Sequence, residues 1–351
     1  MARAVISNVQ ILRFVAAGSV LLTHSASLLV PPSSPFFRVP WVAGVDLFFV
    51  ISGFIMAWLT WGRFGEDGVP GRFLLRRAIR IVPPYWFFTT LMVAAALFVA
   101  DHVKHTRLGW IQIVTSYGFV PWPRPSDGLI NPLLSQGWTL NYEAFFYVAF
   151  ALALTRRHGL RWLSIAFLGL AAVHWMVPRN LFILKFYTDP IILEFLAGIA
   201  IARLYLGGVR LPVWGSLLCA ALAVAVFLAG ASLPHFEAQR FVRFGVSAAL
   251  LSASLILARE SSGGGRVKRF LTAGGDASYT LYLSHTFTVN AVAVAWRRAG
   301  VGAPWLGVAL AVALSLAAAL LLYRFAERPA TQALNRRFGL SRSDEAQRVA
   351  P

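Results

Sequence analysis

Apolar runs close to 20 residues long recur from one end of this 351-residue chain to the other. A run of about that length is what an α-helix needs to cross a hydrocarbon core of about 30 Å. The bilayer offers few alternatives, because lipid supplies no partner for an exposed backbone N–H or C=O. With 58% hydrophobic and only 13% charged residues, the chain lacks the polar surface of an ordinary soluble protein. The pattern predicts an all-α, polytopic integral membrane protein with about ten transmembrane helices. The runs lie near 9–30, 41–61, 82–100, 138–155, 160–177, 187–206, 212–231, 241–258, 277–296 and 304–325. The first is longer than a signal-peptide core and meets PPSSP where a small-residue cleavage site belongs, so it is read as an uncleaved span. Residues 1–335 are expected to form one membrane domain, and 336–351 a disordered cytoplasmic tail.

The formal charge of +18 raises the question of nucleic acid, but the cations are spread over short loops rather than gathered on one soluble face, so no nucleic-acid partner is expected. Topology accounts for them better. Ten crossings put both ends on one side of the bilayer. Most of the 32 Lys and Arg residues then fall on that side, which the positive-inside rule assigns to the cytoplasm. The longest loop, about 101–137, lies outside, and LGWIQIVTSYGFV within it reads as an interfacial or re-entrant helix. SSGGGRVKR, Ser261 to Arg269, is a basic cytoplasmic loop without P-loop spacing. Cys219 stands alone inside an apolar run, which leaves no internal disulfide and no thiolate metal site. His102 and His105 in DHVKH have no third ligand in view, and no metal is expected.

Ionisable groups inside a span are costly and mark function by default. RFVAAGSVLLTHS carries Arg13 and His24 eleven residues apart, close to a whole number of helical turns, so both share a face about 16 Å apart along the axis. Asp46 of GVDLFFVISGF, Glu143 of WTLNYEAFFY and Glu194 of PIILEFLAGIA fall at the depth of His24 in the outer half. Asp46 and Glu143 also admit a structural reading, as groups paired with Arg or Trp across helices. Arg77 and Arg80 of RFLLRRAIRIVPPYW lie three apart, on one face at the cytoplasmic boundary with Arg13. Arginine binds phosphate through paired charged hydrogen bonds. A ligand with a phosphorylated head inside and a long thin arm reaching a proton-handling site further out suits this layout. His285 in DASYTLYLSHTFTV is a second intramembrane histidine, and Gly274, Gly275, Asp276 and Ser278 before it read as a turn and N-cap.

These residues resemble the membrane-bound acyltransferase-3 family of bacterial O-acyltransferases. The likeness rests on Arg13 and His24 as R-x10-H, on GVDLFFVISGFIM, on Arg77 and Arg80 as R-x-x-R in RRAIRIVPPYW, on QGWTLNYEAFFY and on SYTLYLSH. It runs from the first span to the ninth and is similar above all to exopolysaccharide O-acetyltransferases. The resemblance implies a multi-pass protein of the bacterial inner membrane, with acetyl-CoA as cytoplasmic acyl donor and a sugar hydroxyl of a polysaccharide or lipid-linked glycan as acceptor. Some relatives carry an esterase-like domain after the last span; none is expected here, so acyl transfer goes directly to the glycan or to another protein.

On this reading Arg13, Arg77 and Arg80 hold the phosphates of acetyl-CoA, and His24 is the general base on the acceptor hydroxyl. Glu143 orients His24, with Asp46 as the alternative, and an acetyl-imidazole on His24 is the variant route. A small hydroxylated natural product is the alternative acceptor. A flippase for lipid-linked glycan is the competing class. It too needs buried charge, but not an Arg and a His on one face at the separation of a cofactor arm. Oligomeric state is left open by the sequence.

Overall fold

The computed structural model describes residues 2–98, 109–232, 240–259 and 265–340. Among them are fourteen α-helices: α1 (Ala2–Leu29), α2 (Gly44–Thr60), α3 (Val69–Phe98), α4 (Trp110–Tyr117), α5 (Trp138–Leu154), α6 (Gly159–Val173), α7 (Phe182–Tyr187), α8 (Leu193–Leu206), α9 (Val213–Ser232), α10 (Val246–Ile256), α11 (Arg266–Asp276), α12 (Ser278–Arg298), α13 (Pro304–Leu322) and α14 (Arg328–Arg337). π-helical turns at Phe241–Gly245 and Tyr323–Glu327 lead into α10 and α14. No β-strand forms among the described residues; the extended pairing consists of isolated bridges such as Leu211 with Ala258.

Among the described residues, six segments are long and apolar enough to cross a bilayer: Ser7–Leu29, Trp41–Thr60, Val69–Phe98, Gly159–Met176, Val213–Ala231 and Pro304–Arg337. They make the chain a membrane protein. The other four runs expected to span also fold as helices, and each falls short for its own reason. α5 has 17 residues and α8 has 14, lengths of about 25 and 21 Å. Phe241–Ile256 is a shorter apolar helix. α12 has 21 residues, but Thr280, Ser284, His285, Thr286, Thr288 and Asn290 lower its hydropathy. α14 continues the helix to Arg337, into the segment assigned to the tail; residues 341–351 lie outside the described residues, as do His102 and His105.

The chain forms two compact units, each discontinuous in sequence. One contains Met1–Thr60 with Leu193–Pro329, the other Trp61–Ile192 with Ala330–Ser341. In the first, α1 packs against α2, α10, α11, α12 and α13. Ala17 and Leu21 of α1 meet Leu281, Val289 and Val292 of α12 and Ala311 and Ala319 of α13 in one buried cluster. α2 and α8 approach backbone to backbone through Gly53 and Gly198: a Cβ at either would run into the carbonyl of Phe195 or Val50. Small residues allow this intimacy where apolar burial itself drives little association, as in lipid. The Phe49 and Phe195 rings close the same seam, with centroids 4.9 Å apart.

Gly274 and Gly275 correct one expectation. They are not a turn before α12 but part of α11, where they face the Phe14 ring and the Gln10 carbonyl of α1. α12 starts at Ser278 with Ala277 as its N-cap and no capping side chain. The missing Cβ at these glycines serves helix–helix contact rather than a reverse turn.

In the second unit α3 stays helical through Pro83 and Pro84. α4, read from sequence as an interfacial or re-entrant helix, is tied to α3 by side chains around those prolines. Tyr85 Oη donates to Ser116 O at 3.1 Å, Trp86 Nε1 donates to Tyr117 O at 3.0 Å, and Thr90 Oγ1 lies 2.6 Å from Tyr117 Oη. Tyr142 of α5 stacks on Phe186 of α7 at 3.9 Å and donates its hydroxyl to the Phe186 carbonyl at 2.9 Å.

Candidate active site

α1 carries Arg13 and His24 on one unbroken helix, which fixes their spacing along the axis at about 16 Å. Arg13 is buried and donates from Nη1 to Gln10 Oε1 at 3.0 Å, one turn earlier on the same helix. An open cavity of about 480 Å³ is bordered by Asn8 and Ile11 of α1 and by Arg266 and Lys268 of α11.

His24 is half-buried, and its Nδ1 lies 2.7 Å from Nε2 of His285, a residue 261 positions away. The rings are inclined by 19° with centroids 5.0 Å apart. That is close to the nitrogen–nitrogen distance plus one ring radius from each side, so they meet edge to edge and nearly coplanar. His285 is 1% exposed, and its other nitrogen, Nδ1, lies 3.0 Å from the carbonyl of Leu281 one turn back on α12. The Tyr282 ring stands 6.2 Å from His285 and is itself met edge-on by Phe48 of α2 at 5.6 Å. α12 thus places the second imidazole, and the α1–α12–α13 core holds both helices in register.

Asp46, in the first turn of α2, is fully buried. Arg240 grips both its oxygens, from Nε to Oδ1 at 3.1 Å and from Nη2 to Oδ2 at 2.7 Å. The geometry is the bidentate fork typical of Arg–carboxylate pairs. Both Asp46 oxygens serve Arg240, while His24 Nδ1 faces His285. Glu194 occupies the first turn of α8, fully buried, and Gly245 leaves the space its carboxylate fills. Arg243, also buried, donates Nε to the Gly230 carbonyl at 2.8 Å.

The second unit holds the remaining expected residues. Arg77 and Arg80 are half-buried on α3, and the Arg77 guanidinium lies 5.8 Å from the Phe73 ring centroid. Glu143 is half-buried on α5. The group that meets His24 Nδ1 is the His285 imidazole. The sequence reading passed over Asn141, two residues earlier in the same motif. It is 1% exposed, and neither its amide oxygen nor its nitrogen has a hydrogen-bond partner among the described residues. A polar amide inside an apolar run was the available signal.

Among the described residues no group of three or more His, Cys, Asp or Glu side chains is arranged to hold a metal ion. The chemistry on offer is that of an imidazole pair in the first unit and of arginines on both α1 and α3.

A family model described as an acyltransferase domain matches residues 6–324. The exopolysaccharide production protein ExoZ of Rhizobium meliloti (strain 1021) is 40% identical over 267 residues, covering 75% of this chain and 81% of that protein. No solved structure matches.

Proposed function

The chain belongs to the acyltransferase-3 family, whose acyltransferase domain spans residues 6–324, and on that premise we propose that it transfers an acetyl group from cytoplasmic acetyl-CoA to a sugar hydroxyl of an exopolysaccharide or its lipid-linked precursor. The carrying observation is the His24 imidazole on a membrane-spanning helix, engaged at one nitrogen by His285 and free of hydrogen-bond partners among the described residues at the other. The likeness to an exopolysaccharide production protein supports the acceptor class. Burial of Arg13 on the helix of His24, and the cationic cavity bordered by Arg266 and Lys268, support an anionic ligand entering from the end of α1 where the N-terminus lies.

His24 Nε2 takes the proton of the acceptor hydroxyl as its oxygen bonds to the acyl carbon. The carbon–sulfur bond breaks, and the same nitrogen returns the proton to the departing thiolate, so proton and acyl group both balance. A thioester is an activated donor, so positioning and base catalysis carry the reaction. Arg13, Arg77 and Arg80 are the residues whose chemistry suits the donor's phosphates. The protein crosses the inner membrane ten times with both termini cytoplasmic.

The test is thiol release from acetyl-CoA by the purified protein, together with proton NMR of ester groups on surface polysaccharide. His24→Ala, expressed normally, abolishes both; an unchanged product sinks the reading. Arg77→Ala with Arg80→Ala raises the donor KM about tenfold or more, since each charged hydrogen bond is worth about 1.5–3 kcal/mol, and an unaltered KM removes those two residues from the donor site.

A further inference from the structure

We propose that His285 is a positioning residue that fixes the tautomer of His24 and thereby makes Nε2 its working nitrogen. The inference rests on the reading of His24 as base and adds the group that prepares it.

The argument begins at the Leu281 carbonyl. It only accepts hydrogen bonds, so the His285 nitrogen 3.0 Å away carries a proton there. A neutral imidazole has one N–H, which leaves His285 Nε2 as a lone pair. The two rings are 2.7 Å apart at His24 Nδ1 and His285 Nε2. Two N–H groups cannot face each other at that distance, so His24 supplies the proton from Nδ1. In the neutral ring Nε2 is then unprotonated and ready to accept.

The opposite polarity needs His285 as a cation donating from both nitrogens. That places a full charge in a ring that is 1% exposed and that no carboxylate contacts among the described residues, an arrangement the membrane interior disfavours strongly. The nearly coplanar rings point the Nδ1–H of His24 along the lone pair of His285, as a strong hydrogen bond requires.

The arrangement does two things for a base. It removes the tautomer in which Nε2 already holds a proton and is inert toward a hydroxyl. It also steadies the charge that forms, because once Nε2 takes a proton, the Nδ1–H bond becomes a charge-assisted one to a neutral acceptor. A carboxylate does the same in the familiar serine-hydrolase triad. An imidazole does it without placing a permanent anion in the bilayer.

The experiment uses the full-length protein in lipid nanodiscs, labelled with 15N-histidine. The His24 signals are identified by their loss in His24→Asn. The expected spectrum shows His24 protonated at Nδ1 and unprotonated at Nε2; a protonated Nε2 in the wild-type protein overturns the proposal. His285→Leu is expected to lose that signature and to lower kcat by about a hundred- to ten-thousand-fold, with donor KM changed less than threefold. His285→Gln places an amide oxygen near the former Nε2 position and recovers at least tenfold of the loss, which a defect of packing alone does not predict. If His285→Leu turns over at the wild-type rate while His24→Ala is inactive, the base reading stands and the positioning role falls. If His24→Ala retains full activity, the base reading falls, and the nitrogen spectrum still decides the tautomer.

Discussion

Asp46 shows what a charged residue in a span requires. Its carboxylate is fully buried, while the Arg240 side chain that holds it keeps about a quarter of its surface. Removing one partner of such a pair leaves an uncompensated charge, with an expected loss of about 3 kcal/mol for Asp46→Ala. Replacing both by leucine is expected to recover most of it, because the pair then vanishes with its desolvation cost. Thermal melting in detergent across the four-member cycle checks both statements; additive losses would remove the pair as a stabilising unit. The charge was legible in GVDLFFVISGF and a structural ion pair with arginine was one of its readings, but the particular partner was not, since it lies 194 positions away and no local spacing reports such a distance. The same holds for His285, flagged by its polarity and unassigned because its partner is 261 positions distant.

Helix pairs repeat that lesson with backbone in place of side chains. Gly53 and Gly198 bring α2 and α8 into contact, and the nearest non-carbonyl-oxygen atoms to their missing Cβ atoms are 2.8 Å away at Phe195 and 2.6 Å away at Phe54. Both neighbours are main chain and do not move aside as a flexible side chain does. Gly53→Ala is therefore expected to push the helices apart at a loss of about 1–3 kcal/mol. Gly18→Ala, on α1 with nothing within 4 Å of its Cβ, is expected to be neutral or stabilising by up to about 1 kcal/mol, the helix-propensity gain of alanine. Equal melting temperatures for the two variants would show that the α2–α8 seam tolerates a methyl group. The long apolar helices were plain in the sequence, because hydropathy over about 20 residues is a local property, whereas Arg266–Arg269, read as loop, fold into α11. Which glycines are seams is not: Gly274 and Gly275 read as a turn, since glycine has the same signature in a turn and at a helix crossing.

For the whole molecule the proposal of ten crossings stands against the six long apolar segments. Six crossings and ten both return the C-terminus to the side of the N-terminus, so the location of the ends does not separate them. Intermediate loops do. With ten crossings, Arg156 and Arg157 after α5 and Arg266, Lys268 and Arg269 of α11 are cytoplasmic, and Arg179 after α6 is outside. With only the six long apolar segments crossing, all three positions reverse. The cationic character of the 156–161 and 259–269 segments favours ten, because Lys and Arg are retained on the cytoplasmic side. The 17 residues of α5 sit at the lower edge of a spanning helix, within the range of about 17–25 that bilayers accept by thinning. α12 can cross despite its polarity because Thr280, Ser284 and His285 are buried inside its unit rather than turned to lipid. A cysteine map tests this cleanly, since Cys219 is the single native cysteine and its Sγ makes one weak contact, to the Leu250 carbonyl at 3.2 Å. In a Cys219→Ala background, cysteines at Arg157, Arg179 and Lys268 are treated in intact cells with an impermeant maleimide. Labelling at Arg179 alone is the expected result; labelling at Arg157 and Lys268 with protection at Arg179 would leave six crossings.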